Sequence, residues 1–113
     1  MYRIGMTTAT ENGERVARLC HALADETRLR VLERLSRGEQ CVCDLQESIG
    51  VGQSLLSFHL KVLRESGLVD ARKDGRWVHY SLRADAVEEL AAYVGTLRMP
   101  DGTWKPCDCG PLR

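Results

Sequence analysis

The chain has 113 residues, with 16 basic and 16 acidic side chains, no formal net charge, 43% hydrophobic and 28% charged residues. That is the length of one domain with ordinary globular composition, which excludes wholesale disorder. No apolar run approaches the roughly 20 residues that cross a bilayer, and residues 1–14 contain no long apolar stretch, so a soluble, cytoplasmic protein without a secretory signal is expected.

Only six residues are aromatic, so the core has to be built mostly from Leu, Val and Ala. Residues 11–24 read as an amphipathic helix, because Val16, Leu19, Cys20 and Leu23 recur at i, i+3, i+4 and i+7. Cys20 lies in that stripe and is expected to be a small core residue. Asp25 is a natural N-cap for a second helix over Glu26 to Ser36, with Glu26 in its first turn, Val31, Leu32 and Leu35 on its buried face, and Gly38 ending it. Cys41-Val42 reads as extended and leads into a brief helix closed by Gly50. After Val51-Gly52 a further helix starts at Gln53 or Ser54 and runs to Ser66. Leu56, Leu60 and Leu63 form its inward face, and Gly67 follows it.

Two helices separated by the tight turn Gly50-Val51-Gly52 have the form of a helix-turn-helix, whose second helix reads the DNA major groove. The next segment holds β-branched and aromatic residues around Asp74-Gly75. It predicts a hairpin with strands Leu68 to Arg72 and Arg76 to Leu82 joined by a type I′ turn. Arg72, Lys73 and Arg76 crowd its tip, where basic side chains reach backbone phosphates beside the reading helix. Such a hairpin is a wing. The charge distribution agrees: residues 51–83 carry 6 basic and 3 acidic side chains, against 7 and 8 in residues 1–50 and 3 and 5 in residues 84–113. A last helix, capped by Asp85 and running to Leu97, repeats the apolar stripe at Val87, Leu90, Ala91 and Val94. The fold class is therefore mainly α with a small β-hairpin, a winged helix-turn-helix. The stripes of the first and last helices have no further elements to cover them, which predicts a homodimer through those two helices. Residues 1–97 form the DNA-binding and dimerisation domain, and residues 98–113 a Pro/Gly-rich, irregular tail that carries cysteines.

These blocks, in this order, resemble the ArsR/SmtB family of bacterial metal-responsive repressors, most of all its arsenic-responsive members. The resemblance covers residues 14–97. It rests on Ala22-Leu23-Ala24-Asp25-Glu26-Thr27-Arg28-Leu29-Arg30, Cys41-Val42-Cys43-Asp44-Leu45, Ser54-Leu55-Leu56-Ser57-Phe58-His59-Leu60, Leu63-Arg64-Glu65-Ser66-Gly67-Leu68 and Gly75-Arg76-Trp77-Val78-His79-Tyr80. It implies a homodimer on a palindromic operator in double-stranded DNA that represses until a ligand binds. Carried over by position, the groove-reading residues are Gln53, Ser54, Ser57 and His59. Gln is able to read an adenine edge and Ser a base or a phosphate. A hydrogen bond within the domain is the other reading of His59. Leu55 and Phe58 are less polar than a reading face usually is, leaving contact with a thymine methyl or packing under the wing.

Five cysteines in a short chain expected in a reducing compartment point to metal binding or thiol redox chemistry rather than disulfides. Cys41 and Cys43 share a side if extended, and at a helix start the free N–H groups favour thiolate. The arsenic-responsive pattern supplies a third cysteine three residues later, where this chain has Gln46. Cys107 and Cys109 offer substitutes: about ten residues separate them from the last helix, enough to span roughly 30 Å. Three thiolates suit As(III) or Sb(III); all four of Cys41, Cys43, Cys107 and Cys109 suit Zn, Cd or Pb. The other family pattern, zinc held by Asp and His on the last helix, is missing because residues 85–97 contain no His. Arsenite is the leading inducer. A repressor that senses oxidants or persulfides through the same cysteines is the alternative, and a thiol metal carrier or redox enzyme without DNA binding is the remaining one. His21, His59 and His79 lie on separate elements and form no nucleophile–base set, so neither an enzyme nor a catalytic cofactor is expected.

Overall fold

The computed structural model describes the backbone of residues 4–97 and the side chains of residues 12–97. In chain order the elements are α1 (Ile4–Leu23), α2 (Glu26–Leu35), β1 (Gln40–Cys41), α3 (Val42–Ile49), α4 (Gln53–Ser66), β2 (Val69–Asp74), β3 (Trp77–Leu82) and α5 (Ala84–Gly95). The first helix begins well before residue 11 because nothing in that stretch breaks it; all the prolines lie beyond residue 99. Its buried stripe is Val16, Leu19 and Ala22, while Cys20 is exposed. The expected core role of Cys20 is thereby corrected: it sits about 100° around the helix from Leu19, past the edge of the stripe.

Asp25 caps α2 as its residue type demands, its carboxylate accepting from the Arg28 amide at 3.1 Å. That hydrogen bond, helped by the nearby His59 and the Arg28 guanidinium, holds the Asp25 carboxyl below the usual carboxylate range. One core joins Leu19 and Ala22 of α1, Val31 and Leu35 of α2, Leu45 and Ile49 of α3, and Leu56, Leu60 and Leu63 of α4, with Leu68, Val69 and Ala86 closing it. Aliphatic side chains do almost all of this filling, as the scarcity of aromatics requires.

The hairpin is present, with its turn one residue further on than expected. Asp74 pairs with Trp77, so the two-residue loop is Gly75-Arg76. Gly75 has φ +64°, and a left-handed glycine at the first central position closes a two-residue hairpin without strain. A third strand, unforeseen from the sequence, completes the sheet in the order β1-β3-β2. Gln40 lies opposite Tyr80, and Cys41 opposite His79. The last helix is capped by Arg83 rather than Asp85 and ends at Gly95. Asp85 lies in its first turn, where its carboxylate accepts from the Arg83 guanidinium at 2.8 and 3.2 Å. Helices α1 and α5 are tied by Arg15, whose Nε reaches both Glu89 oxygens at 2.7 and 2.8 Å. No helix among the described residues is long and apolar enough to cross a membrane.

Candidate functional site

The turn between α3 and α4 is made by backbone chemistry. Gly50 ends α3 at φ +81°, its N–H donating to the Gln46 carbonyl, and Gly52 caps α4 in an extended conformation. A side chain at Gly50 would be strained there. The turn presents α4 so that Leu56, His59, Leu60 and Leu63 face inward while Gln53, Ser54, Leu55, Ser57, Phe58 and Lys61 are exposed. Gln53, Ser54 and Ser57 therefore occupy the outer face of α4.

His59 does not. It is 5% exposed, and its Nδ1 lies 3.0 Å from Nη1 of Arg28, itself 6% exposed. Arg28 has only donors to offer, so His59 Nδ1 accepts and the ring N–H sits on Nε2, 3.7 Å from the Asp25 carboxylate. Two further donors of Arg28 go to carbonyls at the end of α1: Nε to Ala22 at 2.7 Å and Nη2 to His21 at 3.2 Å. Those carbonyls are the negative end of α1: that of Ala22 has no amide partner among the described residues, and that of His21 also accepts from the Ala24 amide at 3.1 Å. The expectation that His59 faces the groove is corrected. It is a tether by which Arg28 holds the reading helix to α1 and α2.

At the wing, Lys73 and Arg76 are exposed, and the Arg76 guanidinium lies 6.0 Å from the ring centroid of the exposed Trp77. Arg72 is also exposed but already engaged. Its Nη2 and Nε donate to the two carboxylate oxygens of Glu39 at 2.8 and 3.2 Å. The pairing lowers the Glu39 pKa and raises that of Arg72. Sequence reasoning missed Glu39 because the two residues are 33 positions apart and only the pairing of β1 with the wing brings them together.

The thiols sit where that strand meets the helix-turn-helix. Cys41 is at once the last residue of β1 and the N-cap of α3. Its cross-strand neighbour is His79, and the next one across is Arg72; directly paired residues share a sheet face. The sulfurs of Cys41 and Cys43 are 2.7 Å apart. With an Asp44 carboxylate oxygen they lie within 4.8 Å of one another. Two soft donors on one side of a helix start fit a thiophilic ion or metalloid. The expectation that the helix start favours thiolate fails for Cys43, whose pKa is raised. The hydrogen bond with Cys41 is the largest cause, burial and the charges of Cys41 and Asp44 add to it, and the Asp44 amide offsets only part. Gln46, in the position of the missing cysteine, is half-buried. Cys107 and Cys109 lie outside the described residues.

A helix-turn-helix followed by a basic wing places the chain in the winged helix-turn-helix class, the architecture of DNA-binding transcription regulators. The model of the bacterial regulatory protein arsR family matches residues 25–71. The chain is 56% identical over 61 residues to the arsenical resistance operon repressor of Escherichia coli strain K12, a match covering 53% of this chain and 52% of that one. It is 39% identical over 83 residues to a cadmium resistance transcriptional regulatory protein homolog of Staphylococcus aureus, covering 73% and 69%. A crystal structure of a possible transcriptional regulator for arsenical resistance superposes with TM-score 0.65 at 35% identity, covering 73% of this chain and 85% of that chain. The chain belongs to the arsR family.

Proposed function

We propose that this protein is a cytoplasmic repressor that binds operator DNA as a homodimer and leaves it when arsenite is captured by Cys41 and Cys43. The observation that carries this reading is the thiol pair, 2.7 Å apart at the start of α3. Similarity to an arsenical resistance operon repressor and to a cadmium resistance transcriptional regulatory protein homolog supports it. Arsenous acid exchanges a hydroxyl for each thiol, the thiol proton leaving with the hydroxyl as water, so two As–S bonds form at this pair. Cys107 or Cys109, in its own or the partner subunit, is proposed to supply the third. Closure on Cys41 acts on two elements together, because that residue ends β1 on the wing sheet and caps α3 below the reading helix. Operator half-sites lie about one helical turn apart, so a small tilt of either reading helix misaligns the pair. A coupling of about 1–3 kcal/mol, 5–150-fold in affinity, suffices for release.

Gln53, Ser54 and Ser57 are proposed to contact bases, and Lys73 and Arg76, with Arg72 once freed from Glu39, to contact phosphates. Val87, Val94 and Leu97 are exposed large apolar side chains in and just after α5, which supports the homodimer through α1 and α5. The Asp44 carboxylate beside both sulfurs favours a second reading, in which Cd(II), Zn(II) or Pb(II) is the inducer.

Fluorescence anisotropy of a labelled promoter duplex, titrated with arsenite and with each divalent ion, tests the proposal. Arsenite should release the wild-type protein and leave the Cys41→Ser, Cys43→Ser double variant bound. Release of that variant by arsenite would overturn the mechanism. Cys107→Ser and Cys109→Ser, singly and together, separate three-thiolate from four-thiolate binding.

A further inference from the structure

The outer face of α4 carries two large apolar side chains among polar ones. Phe58 is 55% exposed and Leu55 48% exposed. Neither packs under the wing. At about 100° per residue, the buried Leu56, His59, Leu60 and Leu63 centre about 150° around α4 from Phe58, which therefore stands near the middle of the outward face and not at its margin. The ring is also held in place: its centroid is 5.4 Å from that of His59 in an edge-on arrangement, and His59 is anchored by Arg28. A phenyl group is thus displayed at the centre of the surface that a helix-turn-helix presents to the major groove. The apolar feature that B-DNA offers there is the 5-methyl group of thymine.

We propose that Phe58 reads a thymine 5-methyl in each operator half-site, with Leu55 extending the apolar contact toward the start of α4. This rests on the operator-binding reading above and adds a specificity that Gln53, Ser54 and Ser57 do not supply. Hydrogen bonds from those residues see the donor and acceptor pattern of a base pair, which is unchanged when thymine becomes uracil. Only an apolar contact registers the lost methyl.

The test uses the full-length protein and duplexes that it selects from a randomised pool. Those duplexes should carry a thymine at one fixed position of each half-site. Replacing that thymine by deoxyuridine should weaken wild-type binding by about four-fold, the share of one buried methyl, and by roughly 15-fold when both half-sites are changed. Phe58→Ser should bind the thymine and deoxyuridine duplexes equally, and Phe58→Leu should keep part of the preference. Ser57→Ala should lower affinity without altering the preference. Wild-type protein that binds every deoxyuridine duplex as tightly as its thymine parent overturns the inference, whatever the variants do. So does a preference that survives in Phe58→Ser. Failure to bind any duplex in a salt-dependent manner would instead overturn the operator-binding reading itself.

Discussion

Replacing Arg28 by Met removes a buried cation while keeping much of its volume, and so isolates the tether between α1 and the reading helix. Three hydrogen bonds are lost, to the carbonyls of Ala22 and His21 and to His59 Nδ1. Bonds to a charged group contribute about 1.5–3 kcal/mol each, while burying the guanidinium costs several kcal/mol. Met leaves the Ala22 carbonyl and His59 Nδ1 unpaired at about 1–3 kcal/mol apiece, relieved where water reaches them, while the His21 carbonyl keeps its bond from the Ala24 amide. The net loss is expected to be about 3 kcal/mol, a large share of a typical 5–15 kcal/mol. It should lower Tm by on the order of 15 °C. Urea unfolding followed by circular dichroism at fixed protomer concentration reads this directly. Arg28→Lys, keeping the charge but not the planar fork, should recover less than half. A double-mutant cycle with His59→Leu should show non-additivity of at least about 0.5 kcal/mol, since both ends of one bond are removed. A loss below about 1 kcal/mol for Arg28→Met would refute the reasoning: the desolvation cost would then have cancelled the bonds, as it does for some buried charges.

Glu39→Gln frees Arg72 from its carboxylate partner. Operator affinity should rise, and the slope of log affinity against log salt should steepen by up to about 0.9 per protomer as Arg72 takes a phosphate; an unchanged slope means Arg72 makes no such contact. The raised Cys43 pKa gives the two inducer classes different pH dependence. Divalent ions must displace thiol protons, so Cd(II) affinity, followed by thiolate charge-transfer absorbance, should climb steadily from about pH 6 to 8. Arsenous acid releases water and no net protons, so its affinity should be nearly flat over the same range. A flat Cd(II) profile would show the thiols already ionised.

The helices, the Gly50-Val51-Gly52 turn and the hairpin were legible because each is written in neighbouring residues. Apolar spacing of three and four marks a helix face, and Asp25, Gly50 and Gly75 terminate or cap by their own conformational preferences. Errors of a residue or two arose where two local signals competed. Asp85 resembles an N-cap, yet Arg83 caps α5 and its guanidinium takes the Asp85 carboxylate. Cys20 and Leu19 carry almost the same apolar signal, and only the position of the neighbouring helices decides which is covered.

By itself, then, the sequence determined the order of the helices and the hairpin, the winged helix-turn-helix class, the exposed face of α4 that carries Gln53, Ser54 and Ser57, and the placing of Cys41 beside Cys43. Tertiary structure decided the rest. It turned His59 inward, because a buried arginine on another helix needed an acceptor. It laid the two residues of β1 along the wing, where Glu39 meets Arg72 and Cys41 faces His79. Strand pairing and charge pairing over such separations depend on where the core places each backbone, and no pattern of adjacent residues encodes that.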